Sequence, residues 1–286
     1  MTPYSEFALT EEEKTAGLVL ACRALPKSDV EIAWLEADDI ASHPLRRLAC
    51  EVVGLDLLTH DIRQIRLKVI SGGPFSFSAG QYAAVSFEGL PARDYSMASL
   101  PDDPVLEFHV RAMDGGAVSQ HVRRGLKLGE RVRVEGPLGI SFLREKHTGP
   151  ILALAGGSGL APIKSIVGRA LQLGRKQPIQ LYLGVRDEPD LYLEAHFRAL
   201  EAQHPNFRFT PVLSEPKRKT RRRTGFLADI IRQDISGFDG GKADLAGPPV
   251  MVETCVAALQ AIGVRRVDCH ADAFYTEADK AKRAAS

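Results

Sequence analysis

A chain of 286 residues with 44% hydrophobic composition is long enough for about two globular domains with real cores. Lys plus Arg number 37 against 36 Asp plus Glu, a formal net charge of +1, so no global field selects nucleic acid or an anionic membrane. The longest apolar stretch, around Gly149 to Ala155, is far short of the roughly 20 residues of a membrane helix, and the acidic N-terminus lacks a signal-peptide pattern.

In chain order, Thr10 to Cys22 reads as a short helix, with Thr10 and Glu13 in capping-box spacing ahead of Leu18 and Leu20. From about Leu48 to Phe142 the pattern changes to short alternating runs, such as Ile65–Ile70, Tyr82–Phe87, Leu106–Val110 and Arg131–Val134. Gly72-Gly73-Pro74, Gly89-Leu90-Pro91 and Gly136-Pro137-Leu138-Gly139 punctuate them, which suits an antiparallel β-barrel. From Pro150 strands alternate with helix-length segments: strand Ile151–Ala155, a helix to about Leu173, strand Ile179–Gly184, a helix near Leu191–Ala202 and strand Phe207–Leu213. That rhythm predicts a doubly wound parallel α/β domain. The expected boundaries are 1–43, a barrel over 46–146, an α/β domain over 148–277 and a charged tail over 278–286. Four scattered cysteines (Cys22, Cys50, Cys255, Cys269) form neither a disulfide framework nor a CxxC pair, which points to a reducing, cytoplasmic location.

Residues Phe7 to Ile32, with Leu20-Ala21-Cys22, resemble the C-terminal part of a plant-type [2Fe–2S] ferredoxin, in which that Cys is the fourth cluster ligand. The other three ligands come from an upstream C-x4-C-x2-C run. None precedes Cys22 here, so Cys22 is expected to be a vestige of a relay. The chain as given is then expected to hold no [2Fe–2S] cluster, and the segment to about His43 to pack poorly.

Within the barrel, Arg93-Asp94-Tyr95-Ser96-Met97-Ala98-Ser99 offers an arginine fork for a phosphate, an aromatic wall and a hydroxyl. The same residues also suit an ordinary strand with an exposed arginine. They resemble the R-x-Y-S-x-x-S flavin element of the ferredoxin–NADP reductase superfamily. His109-Val110-Arg111 followed by Gly115-Gly116-Ala117-Val118-Ser119 resembles the family's second flavin strand and its pyrophosphate-binding turn, where small residues admit phosphate to backbone N–H groups. Together these imply FAD, with Ser96 at the flavin N5 edge.

Ile151–Ala155 runs into Gly156-Gly157-Ser158-Gly159-Leu160-Ala161-Pro162, a strand, a glycine turn and a helix that places unpaired N–H groups against a pyrophosphate. Tyr182–Arg186 with Asp190-Leu191-Tyr192 resembles the family's second nucleotide strand, and Leu245-Ala246-Gly247-Pro248-Pro249-Val250-Met251 its C-G-P-P-x-M element beside the nicotinamide. Ala246 replaces the Cys that many relatives carry there. Ser214-Glu215 stands where NADP-preferring relatives tend to have Ser-Arg. A carboxylate repels a 2′-phosphate and accepts from a ribose hydroxyl, so NADH is expected over NADPH. The run Lys217-Arg218-Lys219-Thr220-Arg221-Arg222-Arg223 reads first as a solvated loop, and otherwise as a phosphate neutraliser or a docking patch for an acidic electron-transfer partner. No aromatic residues interleave it, which argues against nucleic acid.

Val267 to Tyr275 resembles the last strand of the bacterial oxygenase-reductase branch, in which a residue near Phe274 lies over the flavin; core packing is the other reading of Phe274. Cys269 and His270 are adjacent on a strand and point to opposite faces, so no metal site is expected. Over Phe7 to Tyr275 the chain resembles the reductase component of a bacterial multicomponent oxygenase, with CDP-6-deoxyglucoseen reductases sharing the layout. The resemblance implies hydride transfer from NADH to flavin N5, then single-electron delivery to a separate iron–sulfur protein or terminal oxygenase. A non-catalytic electron-transfer subunit, a nucleotide-binding protein without turnover, and a reductase for a deoxysugar dehydratase are the alternatives. The electron-transfer type carries a cysteine-rich C-terminal cluster site, whereas only Cys255 and Cys269 occur here.

Overall fold

The computed structural model describes residues 42–276, together with Thr15, Val19 and Leu25. Cys22, the bulk of segment 1–43 and the tail 278–286 lie outside the described residues. The fold below is that of the unit Ala41–Ser286.

Six antiparallel strands form the first half: β1 (Arg46–Leu57), β2 (Ile62–Ser71), β3 (Tyr82–Ser86), β4 (Arg93–Ser96), β5 (Leu106–Arg111) and β6 (Arg131–Leu138), with helix α1 (Ala117–Arg124) between β5 and β6. Their order is β4-β3-β6-β1-β2-β5. An antiparallel bridge between Met97 and Phe108, and Ala98 N–H donating to Glu107 O at 2.7 Å, draw the two edge strands together into a nearly closed barrel. Alternation fills it: Leu48, Cys50 and Val52 of β1 meet Ile65, Leu67, Val132 and Val134 in one buried cluster. On β5 the even positions Leu106, Phe108 and Val110 join that cluster, so Glu107, His109 and Arg111 face outward. That polar outer row recurs in the site below.

The second half is a parallel sheet of β7 (Ile151–Gly156), β8 (Ile179–Val185), β9 (Phe207–Leu213), the two-residue β10 (Arg223–Thr224), β11 (Lys242–Gly247) and β12 (Cys269–Ala273), in the order β10-β9-β8-β7-β11-β12. Helices α2 (Leu160–Gln172) and α3 (Glu194–Gln203) contribute to one core cluster, α4 (Leu227–Asp234) and α5 (Pro249–Ala261) to another. β7 is buried along its whole length, as a strand covered on both faces must be. The first cluster also takes in Ile62, Ala79 and Leu143 from the barrel half, so the two halves share one apolar seam. β8 and β9 lie to one side of β7 and β11 to the other. The order reverses there, opening a crevice at the carboxyl ends of β7 and β11.

The helix expected near Leu191 begins later, at Glu194, behind a 3-10 turn over Glu188–Asp190. Asp187 N–H donates to the Asp190 carboxylate at 3.1 Å, and Leu193 adopts a left-handed φ of 56°, which restarts the chain for α3. No helix among the described residues is long and apolar enough to cross a membrane.

Candidate functional site

Two glycine turns open helices without any side-chain cap. At the first, Gly115 has φ +72°, with open space where a Cβ would project, and Gly116 is the N-cap of α1. Ser119 Oγ donates to Gly116 O at 3.1 Å and accepts Met113 N–H at 3.0 Å, pinning the turn from within. No acidic residue stands in the first turn of α1, and Ala117 is exposed at its start. Free N–H donors at the positive end of a helix with no acid in its first turn are what a diphosphate requires.

At the second turn, Gly157 has φ +53°, and a Cβ on it would lie 2.6 Å from Arg111 Nη1. A Cβ on Gly159 would meet Ala246 O at 2.1 Å, and one on Gly156 the Met251 Sδ at 2.4 Å. Gly247, at φ +145°, is close as well, a Cβ on it lying 2.9 Å from Gly156 O. These glycines let the end of β7, the start of α2 and the Gly247-Pro248-Pro249 turn of β11 close on one another. α2 also lacks a side-chain cap and a first-turn acid. Ser158 is partly exposed and Pro248 exposed, and a Cβ on Gly156 would lie 2.8 Å from Pro248 Cδ. The residues of both turns therefore fit FAD and a nicotinamide dinucleotide.

The barrel motif meets the last strand across the interface. Ser96 Oγ donates to Asp272 Oδ2 at 3.2 Å, and Phe274 N–H donates to Gly247 O at 2.9 Å. Phe274 is partly buried against the shared apolar cluster. Burial, with Asp94 adding repulsion against the Ser96 hydrogen bond, pushes the Asp272 carboxyl up to about 6. Burial likewise pushes the Tyr95 phenol to about 12, so it stays protonated. Asp272 escaped sequence reasoning; its only local signal is a place two residues before Phe274. Arg93 is partly exposed and donates to the adjacent Ala92 O at 2.8 Å.

At three of the expected positions the side chain is engaged elsewhere. The side chains of Val110 and Val118 point into the barrel core. The His109 imidazole is wholly buried: its Nε2 lies 2.7 Å from Glu107 Oε1 and its Nδ1 3.3 Å from the Tyr192 hydroxyl. Lys164 of α2 closes this network, 3.0 Å from both Glu107 oxygens and from Ala98 O. Burial would raise Glu107, but the His109 hydrogen bond and the Lys164 charge outweigh it and hold the carboxyl at about 2. Arg111, the third outward residue of β5, pairs with Asp61 at 2.9 Å.

At the far end of the crevice, Ser214 N–H donates to Val185 O at 2.9 Å and Glu215 N–H to Arg186 O at 2.8 Å, which sets exposed Glu215 beside exposed Arg186. Phe226, 64% exposed, follows Gly225, whose N–H donates to Leu213 O at 2.9 Å. An exposed aromatic there gives a flat face beside the Ser214-Glu215 pair, and sequence reasoning passed over it. The basic run divides. Arg222 forks onto Glu194 at 2.7 and 2.9 Å and reaches Glu188, and Arg223 pairs with Asp234, while Lys217, Arg218, Lys219 and Arg221 face solvent. No group of three or more His, Cys, Asp or Glu that could hold a metal occurs among the described residues. Burial pushes Cys50 and Cys269 to about 11 and Cys255 to about 12, so all three are thiols, not thiolates.

Two family models match, the oxidoreductase FAD-binding domain over residues 49–142 and the oxidoreductase NAD-binding domain over residues 153–257. The ferredoxin–NAD(P)(+) reductase component of the naphthalene 1,2-dioxygenase/salicylate 5-hydroxylase systems of a Ralstonia species is 44% identical, across 90% of this chain and 78% of that protein. The reductase component DmpP of phenol 2-monooxygenase from a Pseudomonas strain is 34% identical, across 97% and 80%. Among solved structures, the Amycolatopsis cytochrome P450 reductase GcoB superposes with a TM-score of 0.79 at 36% identity, covering 94% of this chain and 82% of its own.

Proposed function

The chain belongs to the ferredoxin–NADP reductase superfamily, as a flavin-dependent oxidoreductase related to the reductase components of bacterial oxygenases, and from that premise we propose that it oxidises NADH and releases the electrons singly to an iron–sulfur partner, a ferredoxin or a terminal oxygenase. The observation that carries the proposal is the meeting of Ser96 with Asp272 and of Phe274 with Gly247, which brings the barrel motif and the β11 turn to one crevice. We further take 46–146 and 148–277 as the two domains, and the scattered free thiols as a sign of a reducing, cytoplasmic setting.

Arg93, Tyr95 and the Gly115–Ser119 turn would hold FAD, and Gly156–Gly159 with Gly247–Met251 would hold the dinucleotide. When bound, the flavin supplies the conversion between two-electron and one-electron chemistry. The protein's own part is position and proton control. The shared apolar seam fixes the two turns against each other, and the Ser96–Asp272 pair holds a proton at Ser96 Oγ. Phe274, partly buried against the shared cluster, would stand beside the flavin ring as an apolar wall. Exposed Glu215 favours the ribose hydroxyl over a 2′-phosphate.

Rapid mixing of the FAD-loaded protein with NADH under anaerobic conditions should bleach the flavin absorbance, and faster than NADPH does. No bleaching would overturn the enzyme assignment, and a clear preference for NADPH would overturn the role of Glu215.

A further inference from the structure

The outer row of β5 grips the nucleotide half at two points, Glu107 through Lys164 and His109 through Tyr192, and the second acts on the glycine turn itself. Tyr192 is buried, and its hydroxyl lies 3.2 Å from Gly157 O and 3.3 Å from His109 Nδ1. Its ring meets the imidazole edge-on, with centroids 5.5 Å apart. Gly157 O also receives the N–H of Leu160 as α2 begins. In a planar trans peptide the carbonyl and the following N–H point in opposite directions. Holding Gly157 O down onto Tyr192 therefore turns Ser158 N–H up, to the open side of the turn.

The protons of the Lys164–Glu107–His109 network fix what holds the hydroxyl. Lys164 spends its three N–H groups on Ala98 O and the two Glu107 oxygens, which keeps Glu107 ionised. The imidazole N–H that meets Glu107 is then Nε2–H. Burial disfavours the charged imidazole, which leaves Nδ1 with a lone pair. Burial also keeps the Tyr192 phenol protonated. One hydroxyl proton is thus shared between two acceptors, His109 Nδ1 and Gly157 O, and the ring is held between them.

We propose that Tyr192 is a positioning residue for nucleotide binding: its hydroxyl tethers the Gly157 carbonyl beneath the Gly156–Gly159 turn and so aims the turn's outward N–H groups at the diphosphate, with His109 fixing the hydroxyl. This rests on the assignment of that turn to NADH. Losing one such hydrogen bond is worth about 1 kcal/mol, or roughly a fivefold to tenfold change in affinity.

The test compares Tyr192→Phe with the parent, as full FAD-loaded chains, on two hydride donors: NADH and 1-benzyl-1,4-dihydronicotinamide, which has no phosphate. The expected result is a KM for NADH raised about fivefold to tenfold with kcat within about twofold, and an unchanged rate with the phosphate-free donor. His109→Gln should shift the KM for NADH in the same direction by a smaller factor. An unchanged KM in both variants, or an equal loss with both donors, would overturn the tether. A parent protein that NADH does not reduce would overturn the assignment of the turn instead, so the two failures are distinct.

Discussion

Ser96 on β4 donates its hydroxyl to Asp272 on β12 at 3.2 Å, joining residues 176 positions apart in sequence. Above about pH 6 the Asp272 carboxylate takes that proton's hydrogen bond; below it the carboxyl carries its own proton and the Ser96 hydroxyl is free to turn toward a ligand. Flavin reduction by NADH should therefore show an inflection near pH 6, the rate rising as pH falls through it. Asp272→Asn should erase the inflection in a pH series of stopped-flow rates. An inflection that survives the substitution would assign it to another group.

Glu107 anchors the interface between the halves. Its carboxyl is held at about 2, below its ordinary value of 4.5, so its contribution to stability is full above that value and is lost as pH falls toward 2. Glu107→Gln leaves the Lys164 charge nearly buried without a counterion, a change that costs about 3 kcal/mol. The double variant Glu107→Gln/Lys164→Met should recover part of the loss. Thermal unfolding at pH 7 measures both, and an unaltered Tm in the single variant would show that the pair contributes nothing.

The two glycine turns should respond differently to a methyl group. Gly159→Ala drives a Cβ to 2.1 Å from the backbone oxygen of Ala246, which only a shift of α2 or β11 can relieve. Gly115→Ala meets nothing within 4 Å and bears only the strain of φ +72°, about 1 kcal/mol. Gly159→Ala should lower Tm and raise the KM for NADH several-fold. Gly115→Ala should keep the KM for NADH and lose a smaller amount of stability.

Asp244, on β11, is buried with Oδ1 lacking any hydrogen-bond partner, and burial pushes its carboxyl up to about 7 against the pull of Arg144 and Lys242. A carboxyl raised in the fold favours the folded state while it is protonated, and that stability is lost as pH rises from 3.8 to about 7. Asp244→Asn should raise Tm at pH 8 more than at pH 5. Equal shifts at the two pH values would point to packing, not charge.

The strands of the barrel and of the parallel sheet were readable because each carries its own period: alternation where one face is wet, unbroken apolar runs where both are covered. Phe207–Leu213 was placed to the residue, since Asn206 ahead of it and Ser214 behind mark its limits. α5 went unassigned in the sequence because its exposed positions include Val250, Ala257 and Ala261, so no polar stripe marks the face opposite buried Val252, Cys255, Val256, Ala258 and Leu259. The start of α3 was misplaced because Leu193 takes a left-handed conformation that its residue type does not announce.

The glycine turns, the Arg93–Ser99 element and the Gly247–Met251 turn are local in sequence, so the chain alone located them: backbone freedom and phosphate-sized donors are properties of neighbouring residues. What only the tertiary structure decided is which side chains face them. His109 stands in a flavin-strand motif, yet its imidazole belongs to Glu107, Lys164 and Tyr192. Ser96 donates a hydrogen bond to Asp272 although nothing in either segment names the other. Strand alternation says that a residue points outward; what it meets there depends on how two separately wound halves close on a shared apolar seam, and that is a property of packing over long sequence distances.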